Sequence, residues 1–228
     1  MGAESRGSVV LRSDPDHDLG EAVMEFRLTY AGPLYGASKT KTRADHKHEI
    51  RCHFHPQLRR LWEVTPHLRN ARAVDPGGGY IHPAALEMAA QLRVDWLASQ
   101  FQRNGYRFVP LVTEELSLLC SVSILFLRPD APGSLIQSGD IDNRLKTLFD
   151  ALRIVGSAQE LGKYQEPAED QTPFFCLLED DSLITRVSVE TDTLLEPVSD
   201  PPDPDDARLI ITVNLRPAVR NWANGLFG

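Results

Sequence analysis

The sequence predicts an α+β fold: a small mixed, mostly antiparallel sheet with two main helices packed on it. Three observations carry this. Short segments with apolar residues at every second position recur along the chain, as half-buried strands require. Two longer segments repeat their apolar residues at the helical period instead. The order of these segments is strand, basic region, helix, strand, helix, strand, strand, which is an α+β plan. With 228 residues, 42% of them hydrophobic and 25% charged, the chain suits one globular domain and excludes wholesale disorder.

Residues 1–20 are polar and are expected to form a flexible N-terminus, with residues 21–228 as a single domain. The first strand is read over Val23–Tyr30, where Phe26, Leu28 and Tyr30 share a face, and Gly32-Pro33 is expected to end it. Within the basic segment 39–72, the spacing of Ile50, Phe54, Leu58, Leu61 and Trp62 predicts a short amphipathic helix over 50–62 with Pro56 in its first turn. Pro76-Gly77-Gly78-Gly79 reads as a loop; it lacks the Lys-Ser/Thr of a phosphate-binding loop.

A helix is predicted over 83–103, with Pro83 in its first turn and Gly105 as its C-terminal cap. Residues 116–128 read as a buried strand, too short for the ~20 apolar residues of a membrane span. A second helix is predicted over 143–155 from Leu145, Leu148, Phe149, Leu152 and Val155. Polar residues 156–173 read as an inserted loop. Strands over 183–189 and 209–215 follow, joined by the acidic, Pro-rich 196–206 as a long hairpin loop. Trp62, Trp96 and Trp222 are expected in the core or at an interface. Cys52, Cys120 and Cys176 lack scaffold spacing and read as free thiols of a cytoplasmic protein with no apolar signal core.

The net charge of −8 argues against a nucleic-acid binder, but it is unevenly spread. Residues 39–72 carry 9 basic and 3 acidic residues, whereas residues 151–228 carry 6 basic and 14 acidic ones. The basic segment also holds His46, His48, His53, His55 and His67. Cys52 with His53-x-His55 has no second ligand pair, so surface or phosphate-contacting histidines are preferred to a zinc site.

The segment richest in chemistry is Asp140-Ile-Asp142-Asn143-Arg-Leu-Lys146-Thr-Leu-Phe-Asp150. An extended approach would put Asp140 and Asp142 on one side, and either could cap the helix. Asp142, Lys146 and Asp150 follow at steps of four and share a helix face. A second cluster, Glu179-Asp180-Asp181, precedes a strand. Carboxylates that converge repel one another unless a cation neutralises them, and oxygen ligands of this kind favour Mg²⁺. Taken singly, each cluster reads first as structural, the one as a helix cap and the other as a turn.

The pattern Asp140-x-Asp142-Asn143-x-x-Lys146-x-x-x-Asp150-Ala151-Leu152, followed by Asp180-Asp181 and a strand, resembles the RusA family of Holliday junction resolvases over about residues 118–216. The resemblance implies a dimeric, Mg²⁺-dependent endodeoxyribonuclease of branched DNA, with Mn²⁺ as a substitute metal. It assigns catalysis to Asp140, Asp142, Lys146 and Asp181, the metal to Asp140, Asp142 and Asp181, and a supporting role to Asn143, Asp150 and Asp180. The family's early loop approaches DNA, which makes Tyr35, Lys39, Lys41, Arg43 and Lys47 the candidate DNA-binding residues. Family members are commonly near half this length, have a short link where residues 153–179 stand here, and often carry arginines just before the first aspartate, where 131–139 has no basic residue. A non-cleaving RusA-like nucleic-acid-binding or interaction module is the alternative.

Overall fold

The computed structural model describes residues 24–36, 43–73, 90–129 and 140–217. Its elements are β1 (Met24–Pro33), α1 (Arg43–Val64), α2 (Pro66–Arg69), α3 (Arg93–Gln100), β2 (Gln102–Arg103), β3 (Tyr106–Val112), β4 (Leu118–Arg128), α4 (Asp140–Leu152), β5 (Phe174–Leu178), β6 (Ile184–Thr193) and β7 (Asp206–Pro217). The α+β class is as predicted. The N-terminal 1–20, the 76–79 loop and Trp222 lie outside the described residues.

The alternating segments build a four-stranded sheet of order β1-β7-β4-β6. Its β1/β7 and β7/β4 pairs are antiparallel, and β4/β6 is parallel. Register lines up one apolar row across all four strands: Leu28 opposite Ile211, Ile211 opposite Ile124, and Ile124 opposite Val189. With a side-chain period of two, that register sends Leu28, Ile124 and Ile211 into the core together, each 2% exposed or less. β1 runs on through Gly32 to Pro33, which pairs with Asp206. Proline is tolerated there because β1 is an edge strand.

The expected β6–β7 hairpin is not formed. β4 lies between the two strands, so the Pro-rich 196–206 segment reverses the chain across the end of β4 instead of joining two neighbouring strands.

A second sheet, β2-β3-β5, was not foreseen. The predicted 83–103 helix is described only from residue 90, and its helical part, α3, ends at Gln100. Gly105 is not its cap. Asn104 (φ 49°) and Gly105 (φ 82°) are instead the two left-handed residues of a tight turn joining β2 to β3. β5 pairs in parallel with β3 and is buried at all five positions, so the segment read as part of the insertion contains a core strand. Tyr106, Phe108, Ile154, Val155, Leu161, Phe174 and Cys176 form a smaller core around this sheet.

α1 is longer than predicted and carries Pro56 in its interior. Proline has no N–H for the Cys52 carbonyl, and the helix tolerates the loss because Ile50, Phe54, Leu58 and Trp62 are packed below it. α4 begins at Asp140 and stops at Leu152, three residues earlier at each end than expected. Ile154 and Val155 leave the helical path for the smaller core, and the Ile154 N–H donates to the Leu178 carbonyl at 2.9 Å.

The inserted residues form two short 3₁₀ turns that dock along α1. Asp45 accepts from the Lys163 N–H at 2.7 Å, Glu49 accepts from the Tyr164 hydroxyl at 2.7 Å, and the His48 and Tyr164 rings stack 4.9 Å apart. Gly162 (φ 59°) is required at the docking point, since a Cβ there would stand 1.9 Å from Asp45 Oδ1. No helix among the described residues is long and apolar enough to cross a membrane.

Candidate active site

α4 is oriented by residues on its inner side. Arg144 is buried; it donates to Asp205 at 2.5 Å and to the Leu34 carbonyl at 2.8 Å, which fixes the front half of the helix on the β1 and β7 ends. Arg51, 1% exposed, reaches up from α1 to the other end. Its guanidinium donates to the Asp150 carbonyl at 2.7 Å and the Arg153 carbonyl at 3.1 Å, two groups freed by the end of the helix. A cation also suits the negative end of the helix dipole.

The outer side carries the motif. Asp140 is the first residue of α4, and its side chain lies outside what is described. Asp142 therefore sits inside the first turn, not in an extended approach and not as the cap. It is exposed, as is Lys146 one turn later, and neither side chain makes a hydrogen bond or ion pair among the described residues. Asp150, a further turn on, is only 8% exposed. It pairs with Lys47 of α1 and with Arg153 at 3.4 Å. Asn143 gives its carbonyl to the Thr147 hydroxyl at 3.2 Å.

The second cluster follows β5 directly. Glu179 accepts from the Glu114 N–H at 3.0 Å, which ties it back to the turn after β3. Asp180 accepts from the Ser182 N–H at 3.0 Å, capping a 3₁₀ turn over Asp181–Leu183. Hydrogen bonding by the Ser182 side chain and then by its backbone N–H, with help from Arg153, holds the Asp180 carboxyl below the usual carboxylate range. Asp181 is exposed; its backbone carbonyl accepts from the Ile184 N–H, and its carboxylate makes no hydrogen bond or ion pair among the described residues. Its turn packs against α4 and feeds β6.

Arg153 lies between the two clusters, although sequence reasoning singled it out for nothing. It bridges in parallel to Leu178, just before the acidic turn, and pairs with Glu160 of the insertion at 3.2 Å. Burial works against its charge, but Glu160, Asp150 and Asp181 outweigh that and hold its pKa above the ordinary value.

Of the proposed DNA contacts, Lys39 and Lys41 lie outside the described residues, and Arg43 is exposed at the start of α1. Lys47 is half-buried against Asp150, while Tyr35 donates its hydroxyl to Asp203 at 3.3 Å. Within the basic segment Arg51 is buried, whereas Arg59 and Arg60 stay exposed and pair with Glu63.

The histidines depart from expectation too. His46, His48 and His55 are buried rather than on the surface, because α1 extends through them and presents one face to the core. His55 uses both ring nitrogens: Nδ1 accepts from the Phe175 N–H at 2.9 Å, and Nε2 meets the Asp170 carbonyl at 3.1 Å. With both engaged, it has no lone pair for zinc.

Among the described residues no group of three or more His, Cys, Asp or Glu side chains is arranged to hold a metal ion. The described members of the predicted trio, Asp142 and Asp181, are exposed carboxylates with no side-chain hydrogen bond or ion pair among the described residues, and hard oxygen donors of that kind fit Mg²⁺ or Mn²⁺. No family model matches the chain, nor does any curated protein or any solved structure.

Proposed function

We propose that the protein is a Mg²⁺-dependent endodeoxyribonuclease that hydrolyses phosphodiester bonds in branched DNA, acting as a cytoplasmic homodimer. One contrast supports this reading. Asp142, Lys146 and Asp181, to which the RusA resemblance gives the chemistry, have exposed side chains that make no hydrogen bond or ion pair among the described residues, whereas Asp150 and Asp180, which it gives supporting roles, are tied down. A stabilising network would have consumed the first set as well.

Asp140, Asp142 and Asp181 would hold the metal, with Mn²⁺ able to replace Mg²⁺. When bound, the ion supplies Lewis acidity to the phosphodiester and lowers the pKa of a water. Lys146 keeps its ammonium unpaired by any described residue, so it is available to the negative charge that develops on the phosphate. Arg43, Lys47, Lys39 and Lys41 would lie along the DNA approach.

A four-way junction cleavage assay in Mg²⁺ tests this. Asp142→Asn should lower the rate by about 10²-fold or more, the worth of several kcal/mol of transition-state charge stabilisation. Equal cleavage by both proteins, or none by either, sinks the enzyme reading. Salt-sensitive junction binding without cleavage would favour the non-cleaving module.

A further inference from the structure

We infer that a second copy of this chain docks on the outer edge of β6, strand against antiparallel strand about a two-fold axis at Ser188; the inference deepens the nuclease reading by giving its homodimer an interface. It starts from a contrast between the two outer strands of the four-stranded sheet, β1 and β6. At β1 the outer edge is occupied. The Gln57 side chain of α1 accepts from the Thr29 N–H at 3.0 Å and donates to the Thr29 carbonyl at 2.8 Å, as a neighbouring strand would. β6 pairs with β4 on one side, and no described strand pairs with the other. It runs for ten residues without a proline, and from Arg186 onward its register with β4 is unbroken. An edge of that kind is a template for another strand.

The sequence of β6 identifies the occupant. Arg186-Val187-Ser188-Val189-Glu190, flanked by Thr185 and Thr191, reads the same in both directions except that the charge changes sign. When two identical strands run antiparallel and cross at Ser188, Ser188 faces the partner's Ser188, Val187 faces the partner's Val189, and Arg186 faces the partner's Glu190. A two-fold contact demands this self-complementarity, and no other partner does. Symmetry makes each pair occur twice, and opposite charges set directly across from one another stabilise a sheet.

The two faces of the strand agree with this pairing. Val187 and Val189 lie beside Val122 and Ile124 of β4, which are 1% and 2% exposed, so they belong to the core face. Val187 is nevertheless 43% exposed, and the partner's Val189 continues the apolar row and covers it. Arg186, Ser188 and Glu190 alternate onto the opposite, solvent-facing side, where all three are exposed and the charge pairs need no burial. The joined sheet has eight strands, and the acidic turns that precede β6 in the two copies stand at opposite ends of the paired strands.

Sedimentation of the full chain over a concentration series, without DNA or metal, tests the interface. Wild type should show a monomer–dimer equilibrium. Arg186→Glu sets like charges opposite one another at both symmetric positions and should weaken the dimer by about tenfold, as should Glu190→Arg. The double variant restores opposite charges in the reverse sense and should recover the wild-type affinity. Ser188→Cys, at the two-fold axis, should give a covalent dimer under mild oxidation. Ser123→Cys, exposed beside it on β4 but one strand away from the edge, should not. All four positions are exposed, so these variants keep the fold.

A wild-type chain that stays monomeric overturns the proposal and the homodimer with it, while junction cleavage still decides whether the chain is a nuclease. A dimer that both charge reversals leave intact, or that the double variant fails to restore, overturns pairing at Ser188 alone. Cross-linking through position 123 as readily as through 188 does the same. A chain that dimerises as described but cleaves no junction sinks the nuclease reading and leaves the interface standing.

Discussion

Replacing His48 with phenylalanine should flatten the acid side of the protein's stability curve. His48 has no exposed surface. Its ring stacks on Tyr164 at 4.9 Å and meets Tyr106 edge-on at 5.5 Å, its Nε2 lies 3.3 Å from the Tyr106 hydroxyl, and its Nδ1 has no hydrogen-bond partner. Burial, reinforced by the Arg51 charge and opposed only in part by Glu49 and Asp45, pushes the imidazole down to about 4. In the unfolded chain it takes up a proton near 6.5. Between these values the unfolded state binds more protons, so stability is complete above pH 6.5 and drains away as pH falls through 4. At 1.36 kcal/mol per unit, the loss reaches about 2.5 kcal/mol by pH 4.5.

Phenylalanine fits among Tyr106, Tyr164 and Phe174, gives up one neutral hydrogen bond worth about 1 kcal/mol, and removes an unsatisfied buried nitrogen. Urea unfolding of both proteins at pH 7.5 and pH 4.5 is the measurement. Wild type should lose about 2.5 kcal/mol more than H48F over that interval. His46 and His55, also shifted down by burial, act equally in both proteins and cancel in the comparison. Parallel losses in the two proteins would refute the assigned burial of this ring.

Two other outcomes bear on the frame around the site. Gly162→Ala forces a Cβ against Asp45 at a left-handed residue; it should cost about 1–3 kcal/mol in melting experiments and expose the insertion to limited proteolysis first. Arg144→Leu removes one partner of a buried ion pair and should cost about 3–5 kcal/mol, while the double variant with Asp205→Asn should recover part of it, as a denaturation cycle would show.

The strands β1, β4 and β7 were legible because each buries a single face, and alternation records that directly. β5 was missed for the opposite reason: with all five residues buried it has no alternation, and it sits among turn residues. The front of α1 was missed because its inward positions are His46 and His48, which hydropathy reads as polar. Its Pro56 also suggested a beginning where the helix continues. Pairing of β6 with β4 instead of β7 depends on which strand fills the middle of the sheet, a choice absent from either segment alone. At the candidate site, the four-residue spacing of Asp142, Lys146 and Asp150 was visible in one dimension. The burial of Asp150 under Lys47 and Arg153 was not, because those partners come from another helix and from beyond the end of α4.

The bridge between Arg153 and Leu178 also bears on the chain's length. Between these two positions, residues 156–173 depart from the end of α4 and return to the sheet at β5, as a side branch docked on α1. Entropy charges little for making such a branch longer, about 0.6 kcal/mol for each doubling of a flexible loop. Added or deleted residues within the 3₁₀ turns therefore need not alter how far Asp150 stands from Asp180. The position is where the chain adds surface along α1 while the acidic turn after Leu178 keeps its seat beside α4.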